Sequence, residues 1–241
     1  ALFSFILSWL IGTLSARPLQ ARAQDVVVAS TQRFVANSGN DSNNDCREKS
    51  TPCKSVQRAV AVAQESDEIH VATGIYSGSV SAVVPDIGTV SATVIITKNI
   101  ASLLGGYSAD FASRNPEQNV TTLLGTTGTE WVIFTAGVTT QIDGFTLAGL
   151  KGSSPSQGGA IHIYAGAPTI SHNRIVDNHS PQPGGGIYVS GGNVSIASNQ
   201  IYSNSAPAGG GIYGLTGTVL STDNQVFGNG AQGGDGGGIY V

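Results

Sequence analysis

The sequence predicts an all-β fold, a parallel β-helix built as a single-stranded solenoid with about 25 residues per coil, a period typical of repeat architectures. Three observations support this class. A glycine phrase ending in Ile recurs at nearly constant spacing, beginning at Gly158, Gly184, Gly209 and Gly236. A second phrase, Asn-x-(Ile/Val)-x-x-Asn, recurs at the same spacing, beginning at Asn173, Asn199 and Asn224. No helical pattern follows Gln64, which favours a β-helix over a leucine-rich or ankyrin array.

The N-terminal segment has the pattern of a secretory signal peptide whose basic start is missing. An apolar run covers residues 1–14, and Ala21-Arg22-Ala23 supplies the small residues of a cleavage site. A membrane anchor is the alternative, but the run is shorter than the roughly 20 residues that a span needs. We expect residues 1–23 to be the signal peptide, 24–32 a linker and 33–241 the β-helix domain. The chain has no Met and stops within a repeat, so we expect a fragment truncated at both ends.

Cys46 and Cys53 are the two cysteines of the chain, and they lie close together in a polar stretch. In an exported protein such a pair is most simply a disulfide that closes a small loop. The alternative is a zinc site, but zinc needs two further ligands and this region offers only His70. We therefore expect a disulfide between Cys46 and Cys53 and no metal site.

Residues 55–64 predict a short helix, because apolar residues recur at helical spacing from Val56 to Ala63 and Ser55 can serve as the N-cap. An open end of stacked strands exposes apolar side chains and unpaired backbone groups. We therefore predict that this helix caps the N-terminal end of the strand array.

Short apolar segments between polar turns predict the strands. The first is Glu68–Ala72, followed by a corner at 74–78. Ile69 and Val94 are separated by one period of the later repeats, which suggests that the period begins before the obvious copies. Further predicted strands are 94–96, 102–104, 122–124, 131–134 and 142–147. Residues 107–118 are predicted to form a loop on the side of the array.

The repeated phrases predict how the coils stack. Their isoleucines are expected to fill the bore, and the residue after each should point outward by strand alternation; these outward residues are His162, Tyr188, Tyr213 and Tyr240. The asparagines are expected to form structural ladders at the turns, with each amide bonded to the next coil; the two ladders are Asn173, Asn199, Asn224 and Asn178, Asn204, Asn229. A carbohydrate-binding or metal-binding row is the alternative interpretation.

Several segments carry a family resemblance. Residues 34–41 (FVANSGND), 52–60 (PCKSVQRAV) and 67–76 (DEIHVATGIY), with 103–107 and 142–146, resemble secreted bacterial right-handed parallel β-helix proteins of the pectin-lyase-like superfamily. The Gly-Gly-x-Ile and Ile-x-x-Asn repeats are similar to those of polymorphic outer-membrane proteins. The resemblance implies a right-handed parallel β-helix and export. It implies no single activity, since the superfamily includes polysaccharide lyases, hydrolases, epimerases and surface proteins without known chemistry.

Charge and composition exclude some partners. The net charge is -4, and only Lys151 and Arg174 are basic after Arg114. Nucleic-acid binding needs a basic face, so we expect no nucleic-acid partner. We also expect no cofactor, and no membrane span apart from the signal segment.

Acidic residues do not form a row along the predicted solenoid. A glycoside hydrolase needs a pair of carboxylates within roughly 5–10 Å. The position equivalent to Asp177 in the next repeat is Ser203. The positions equivalent to Asp223 in the two preceding repeats are Ser198 and His172. The best remaining constellation is His162, His172, His179 and Asp177, which could share one side of a coil. Exposed turn histidines are the commoner explanation.

These patterns predict an exported or cell-surface scaffold or adhesin-like protein without catalytic activity in this segment. Its expected partners are extracellular polysaccharide or cell-surface components. The alternative is a carbohydrate-active lyase or hydrolase, and a third possibility is a passenger segment separated from its anchor. Convergence of Asp143, Asp177 or Asp223 with Lys151 or Arg174 in one cleft would overturn the scaffold prediction in favour of the enzyme. We expect the functional residues to lie in segments that do not follow the repeat, chiefly the loops at 107–118 and 151–157.

Overall fold

The computed structural model describes residues 30–126, 128–152 and 158–241. The expected signal peptide, most of the expected linker and most of the 151–157 loop lie outside the described residues. In chain order the elements are β1 (Gln32–Val35), α1 (Val56–Val62), β2 (Glu68–Ala72), β3 (Gly74–Ser77), β4 (Val80–Val84), β5 (Gly88–Ile96), β6 (Ser102–Tyr107), β7 (Thr121–Leu124), β8 (Trp131–Thr135), β9 (Gln141–Asp143), β10 (Thr146–Ala148), β11 (Ile161–Ile163), β12 (Thr169–Ser171), β13 (Arg174–Val176), β14 (Ile187–Val189), β15 (Asn193–Ala197), β16 (Gln200–Tyr202), β17 (Ser205–Ala208), β18 (Ile212–Gly214), β19 (Thr218–Thr222), β20 (Gln225–Phe227), β21 (Gly230–Asp235) and β22 (Ile239–Tyr240).

Three sheets of parallel strands form the faces of the solenoid. The first sheet has the order β1-β2-β6-β9-β12-β15-β19, and the second has the order β3-β7-β10-β13-β16-β20. The third runs β5-β8-β11-β14-β18-β22, with β4 added antiparallel to β5 at its N-terminal edge. Neighbours within a sheet come from successive coils, so each regular coil contributes one strand to each face. This arrangement confirms the predicted parallel β-helix.

The bore is filled by aliphatic side chains that stack in register from coil to coil. Ile161 pairs with Ile187 and Ile187 pairs with Ile212 on the third sheet, and all three are fully buried. Ile142 and Ile170 pair in the same way on the first sheet. Alternation along each strand sends the intervening residues outward. The buried core of the bore is therefore one continuous column rather than a set of separate clusters.

The glycine phrase allows neighbouring coils to approach each other closely at one corner. A Cβ atom on Gly185 would lie 2.4 Å from the carbonyl oxygen of Gly210, and one on Gly186 would lie 2.6 Å from that of Gly211. Both contacts are too short for any side chain, so these positions need glycine. The spacing of the phrase is thus a packing requirement between successive coils.

A residue with left-handed backbone conformation forms the turn between the first and second sheets. His172, Ser198 and Asp223 occupy equivalent positions in three coils, with φ of 51°, 57° and 53°. Gly144 holds the same place one coil earlier, with φ of 79°. The prediction of one strand over 142–147 was therefore wrong, because this turn divides the segment into β9 and β10.

Buried asparagine side chains connect the coils immediately after these turns. The Oδ1 of Asn199 accepts from the backbone N–H of Asn173 at 2.9 Å, and its Nδ2 donates to Asn224 Oδ1 at 2.9 Å and to the Ile170 carbonyl at 2.9 Å. Asn204 makes the equivalent contacts in the second ladder, with Asn178 and Asn229. Each amide thus satisfies backbone groups that a turn would otherwise bury without partners.

The N-terminal coils depart from the predicted period. Ile69 pairs with Leu103 on the first sheet, whereas Val94 pairs with Ile133 on the third, so the spacing between Ile69 and Val94 does not mark one repeat. Residues 74–78 were predicted to be a corner, but Gly74–Ser77 form strand β3. The β4–β5 hairpin and the loop after β6 lengthen these coils, which hides the period in the sequence.

The N-terminal end is closed by α1 together with a disulfide-bonded loop. Ser55 caps the helix by accepting from the Arg58 N–H at 3.2 Å, and its apolar face packs on β1, β2 and β5. Strand β1 precedes the helix, so the strands do not begin at Glu68 as predicted. Cys46 and Cys53 form a disulfide.

Within the described residues, no helix has the length and apolar character that a membrane span requires.

The residues that follow the bore isoleucines point away from the bore but pack against one another. His162 is 2% exposed, since the rings of Trp131, Phe134 and Tyr188 lie 4.9–5.4 Å from it. Tyr188 in turn stacks on Tyr213 at 5.4 Å. The explanation of His162 as an exposed turn histidine is therefore wrong, because it lies on a strand beneath aromatic neighbours.

Replacing Asn199 by Leu should lower the stability of the protein markedly. The change leaves the Asn173 N–H without its acceptor and removes the side-chain bonds to the Ile170 carbonyl and to Asn224, and a buried unpaired group costs about 1–3 kcal/mol. For a domain of this size we expect a fall in melting temperature of roughly 5–10 °C. Thermal unfolding followed by circular dichroism measures it. Asn193→Leu, at an exposed position of the same coil, is the control, and equal melting temperatures for the two variants would argue against a stabilising ladder.

Candidate functional site

A cleft of about 790 Å³ lies where the side loop after β6 meets the turn between the first and second sheets. We call it the lateral cleft. The loop contributes Arg114, Asn115, Pro116, Glu117 and Val120. The coil surface contributes Gln141, Asp143, Gly144, Phe145, Thr146, His172, Asn173, Arg174, Ser198 and Gln200. The predicted loop at 107–118 therefore forms one wall of a large polar concavity.

Asp143 is the central polar group of the lateral cleft. It ends β9, next to Ile142, whose side chain lies in the bore, so alternation directs the carboxylate outward. Its side chain is only 4% exposed. Ser171, its register partner one coil later, donates its hydroxyl to Oδ2 at 2.6 Å. Arg114 forms an ion pair with Oδ1, and His172 Nδ1 lies 2.8 Å from Oδ2. The carboxylate is thus fully engaged.

The pKa of Asp143 reflects two opposing effects. Burial by itself would raise the pKa, because it disfavours the charged carboxylate. The hydrogen bonds from Ser171, Arg114 and His172, together with the positive charge of Arg114, outweigh burial and hold the pKa below its ordinary value. Asp143 is therefore a stable carboxylate at neutral pH and is poorly suited to act as a proton donor.

Arg114 fastens the loop wall to the solenoid. Its Nε donates to the Gly105 carbonyl at 2.8 Å, and its guanidinium lies 5.8 Å from the ring centre of Tyr107. Tyr107 stacks in turn on His70 at 4.3 Å. Burial of His70 lowers the pKa of its imidazole, an effect that outweighs the contact with Glu68. The wall is thus held by an ion pair at one point and by packed rings at another.

His172 presents an oriented imidazole to the lateral cleft. Its side chain is 64% exposed. Because Nδ1 is hydrogen-bonded to Asp143, the proton of the neutral ring is favoured on Nδ1, and Nε2 is the nitrogen available to a ligand. An aspartate that fixes a histidine tautomer in this way is the arrangement that general bases use.

Arg174 contributes a second guanidinium on the other side of the turn. It is the first residue of β13 and is exposed on the outer face of the second sheet. Its guanidinium lies 5.7 Å from the ring centre of Tyr202 and donates to the Tyr202 hydroxyl. Tyr202 stacks on Phe227 at 4.9 Å. Among the described residues no carboxylate forms an ion pair with Arg174.

The four histidine and aspartate candidates from the sequence do not form one group. His172 lies in the lateral cleft. His162 Nε2 lies 3.0 Å from Ser190 Oγ on the third sheet, and His179 Nδ1 lies 2.9 Å from Ser205 Oγ. Asp177 occupies a left-handed turn position and is exposed. In the part of the chain that the structure describes, no hydrogen bond connects any two of the four, and no cluster of three metal-ligating side chains occurs.

The spacing of the asparagine phrases did not predict the contact between Asp143 and His172. Asp143 pairs with Ser171, a longer step than the one from Asn173 to Asn199, because the intervening coil is longer. His172 then reaches Asp143 from the adjacent turn position. Arg114 gave no sequence signal, since its loop folds back onto the coil surface. Of the combinations expected for an enzyme, Asp143 and Arg174 both line the lateral cleft, but the carboxylate forms its ion pair with Arg114, and among the described residues none joins it to Arg174.

Asp143→Asn should destabilise the protein at neutral pH but not in acid. At pH 7 we expect a loss of about 1–3 kcal/mol, because Arg114 and His172 lose a charged acceptor. A folded-state pKa below the ordinary 3.8 means that this contribution is complete above that pH and is lost as pH falls through the folded-state value. Melting temperatures of both proteins from neutral to strongly acidic pH test this, with Asp177→Asn as the exposed control. A difference that closes well above pH 4, or that persists unchanged in strong acid, contradicts it.

Comparison with protein-family models matches residues 37–234 to DUF1565, whose description is "protein of unknown function". Comparison with curated proteins and comparison with solved structures each returned no match. The matched span covers most of the 241 residues and includes the disulfide loop, the helix and every residue that lines the lateral cleft. The chain therefore belongs to the DUF1565 family.

Proposed function

We propose that this chain is an exported or cell-surface β-helix scaffold, adhesin-like in its role, that binds an extracellular polysaccharide in the lateral cleft without cleaving it. The observation that carries the proposal is the cleft itself, a concavity built on the rigid coil surface and walled by an anchored loop. Its volume of about 790 Å³ lies within the range of roughly 300–1,000 Å³ that is typical of ligand sites.

The lining of the lateral cleft suits a sugar polymer. Gln200 offers an amide donor and acceptor, and Gln141 offers an amide oxygen, since its Nε2 donates to Asp143 and Ser171. Thr146 and Ser198 offer hydroxyls, and Arg174 offers a guanidinium. Such groups match the alternating donors and acceptors of sugar hydroxyls. Successive coils repeat at about 4.8 Å, so similar groups recur along the solenoid and can follow an extended chain.

The state of Asp143 argues for binding rather than hydrolysis. Glycoside hydrolysis uses a carboxylic acid with a raised pKa and a second carboxylate as base or nucleophile. The pKa of Asp143 is lowered, and its oxygens are occupied by Arg114, Ser171 and His172. Glu117, the other carboxylate of the cleft, lies on the exposed loop wall.

Cleavage remains a second candidate for two reasons. Asp143 and Arg174 line one cleft, which is a combination expected for an enzyme, and His172 contacts Asp143. An imidazole held by a carboxylate can accept a proton at Nε2, and this is what an eliminative polysaccharide lyase requires of its base. The chain would then be a carbohydrate-active enzyme, as the alternative interpretation of the sequence supposes.

The disulfide supports the extracellular part of the proposal. Cys46 and Cys53 are bonded in a polar loop, and such bonds persist in oxidising compartments outside the cytosol. The signal-peptide pattern of residues 1–23 also indicates export.

We expect the secreted protein to begin at Gln24, because the signal peptide is removed after Ala23. N-terminal sequencing of the secreted product tests this cleavage, and retention of residues 1–23 would contradict it.

Binding is tested by blocking the cleft. Thr146→Trp places an indole in the cleft and should weaken binding to a polysaccharide at least about tenfold by affinity electrophoresis. Thr122→Trp is a matched control, because Thr122 is the register partner of Thr146 one coil earlier and lies outside the cleft. Equal effects of the two changes, or no binding by the wild type to any polysaccharide of a broad panel, would contradict the proposal.

The same panel separates binding from cleavage. After incubation with the wild-type protein, we expect no new reducing ends and no unsaturated sugar products. Release of either product would contradict the scaffold proposal and support the enzyme. In that case His172→Gln should abolish product release while binding to the polysaccharide persists.

A further inference from the structure

We infer that the lateral cleft selects acidic sugars, and that Arg174 is the residue that recognises their carboxylate or sulfate group. The inference rests on the polysaccharide-binding function proposed above and adds to it a ligand class and a specificity residue. It depends on the pairing of the charges in the cleft, on the way Arg174 is held, and on its neighbours.

The lateral cleft is lined by two guanidinium groups and two carboxylates, and among the described residues only one of each is engaged in an ion pair. Arg114 is neutralised by Asp143, which is itself buried, so this pair offers no net charge to a ligand. Glu117 lies on the exposed loop wall. Arg174 forms no ion pair among the described residues, although it lies on the same cleft surface. A guanidinium without a carboxylate partner is the group that an anion would contact first.

Arg174 is held in place without being neutralised. Its guanidinium lies 5.7 Å from the ring centre of Tyr202, and Tyr202 stacks on Phe227 with an interplanar angle of 4°. One N–H donates to the Tyr202 hydroxyl, and no other acceptor within the described part of the chain takes a hydrogen bond from the guanidinium. Because the side chain is already ordered, little conformational entropy is lost when an anion binds.

The neighbours of Arg174 complete a polar receptor. His172 precedes it at the turn and exposes Nε2, since Nδ1 is bonded to Asp143. Gln200 is the register partner of Arg174 one coil later and also lines the cleft. A planar guanidinium can bind a carboxylate or a sulfate through two parallel hydrogen bonds, while His172 and Gln200 contact adjacent hydroxyls.

The experiment compares three polymers and four proteins. The probes are alginate, which carries carboxylates, dextran sulfate, which carries sulfates, and uncharged dextran. The proteins are the wild type, Arg174→Gln, Arg174→Lys and Arg47→Gln. Arg47 is exposed on the disulfide loop and, among the described residues, forms one ion pair, with Asp45 at 3.7 Å, so its change removes the same charge away from the cleft. Isothermal calorimetry at low and high salt gives the affinities, and melting temperatures confirm that each variant is folded.

We expect the wild type to bind at least one acidic polymer about tenfold or more tightly than dextran, with affinity falling as salt is raised. Arg174→Gln should remove this preference and leave binding to dextran unchanged, whereas Arg47→Gln should retain it. Arg174→Lys should retain part of it, because lysine keeps the charge but loses the planar fork. The polymer that binds more tightly identifies the group as carboxylate or sulfate.

The contrary outcomes are distinguishable. If the wild type binds dextran as tightly as both acidic polymers, or if Arg174→Gln keeps the preference, the inference fails and the polysaccharide-binding function stands. If Arg47→Gln weakens acidic binding as much as Arg174→Gln, the attraction comes from net charge and the role of Arg174 is disproved. If the wild type binds none of the three polymers, this inference fails, and the broader panel that tests the proposed function decides whether that function fails with it.

Discussion

Stacking of one coil on the next depends on satisfying the backbone at the turns. A turn that leaves the bore exposes N–H and C=O groups which no strand can pair, and burying them unpaired would cost about 1–3 kcal/mol each. Asn173, Asn199 and Asn224 meet this need at one turn. The amide oxygens of Asn199 and Asn224 accept from the asparagine one coil earlier, and the amide nitrogens of Asn173 and Asn199 donate to the asparagine one coil later. The left-handed residue before each asparagine directs the side chain inward. This contact sets the period of the sequence. Because the asparagines must meet in register from coil to coil, an insertion between two of them has to leave the coil as a loop.

The ladders end where the irregular coils begin. Phe145 and Leu150 occupy the ladder positions in the coil before Asn173 and Asn178, and their N–H groups donate to those asparagines at 2.9 Å and 3.1 Å. Both are buried, so apolar packing replaces the amide contacts there. Coils without the ladder can carry the β4–β5 hairpin and the loop that bears Arg114. The lateral cleft lies at this transition, with its loop wall from an irregular coil and its floor from the ordered turns.

The regular part of the fold could be predicted from sequence because its physical cause is repeated. Ile161, Ile187 and Ile212 serve the same role in successive coils, and so do the glycines beside them, so repeated copies of one requirement stand out. The N-terminal coils could not be read in the same way. Ile69 and Val94 matched the period by coincidence, whereas the true partner of Ile69 is Leu103, which lies farther along the chain. Insertions change sequence spacing but leave the register in space intact, and only the hydrogen-bonded pairs reveal it.

The candidate site was harder to predict because its members come from elements with different periods. His172 belongs to the regular turn row, Asp143 to a coil with a longer step, and Arg114 to an inserted loop. Their association has a physical order. Asp143 must be outward and buried to hold Arg114, and the loop wall that Arg114 anchors is what buries it. The carboxylate that pairs with Arg114 also orients His172, whereas Arg174 donates to the Tyr202 hydroxyl. A cation without an ion-pair partner among the described residues therefore stays on the cleft surface, and this is the feature from which we infer an acidic ligand.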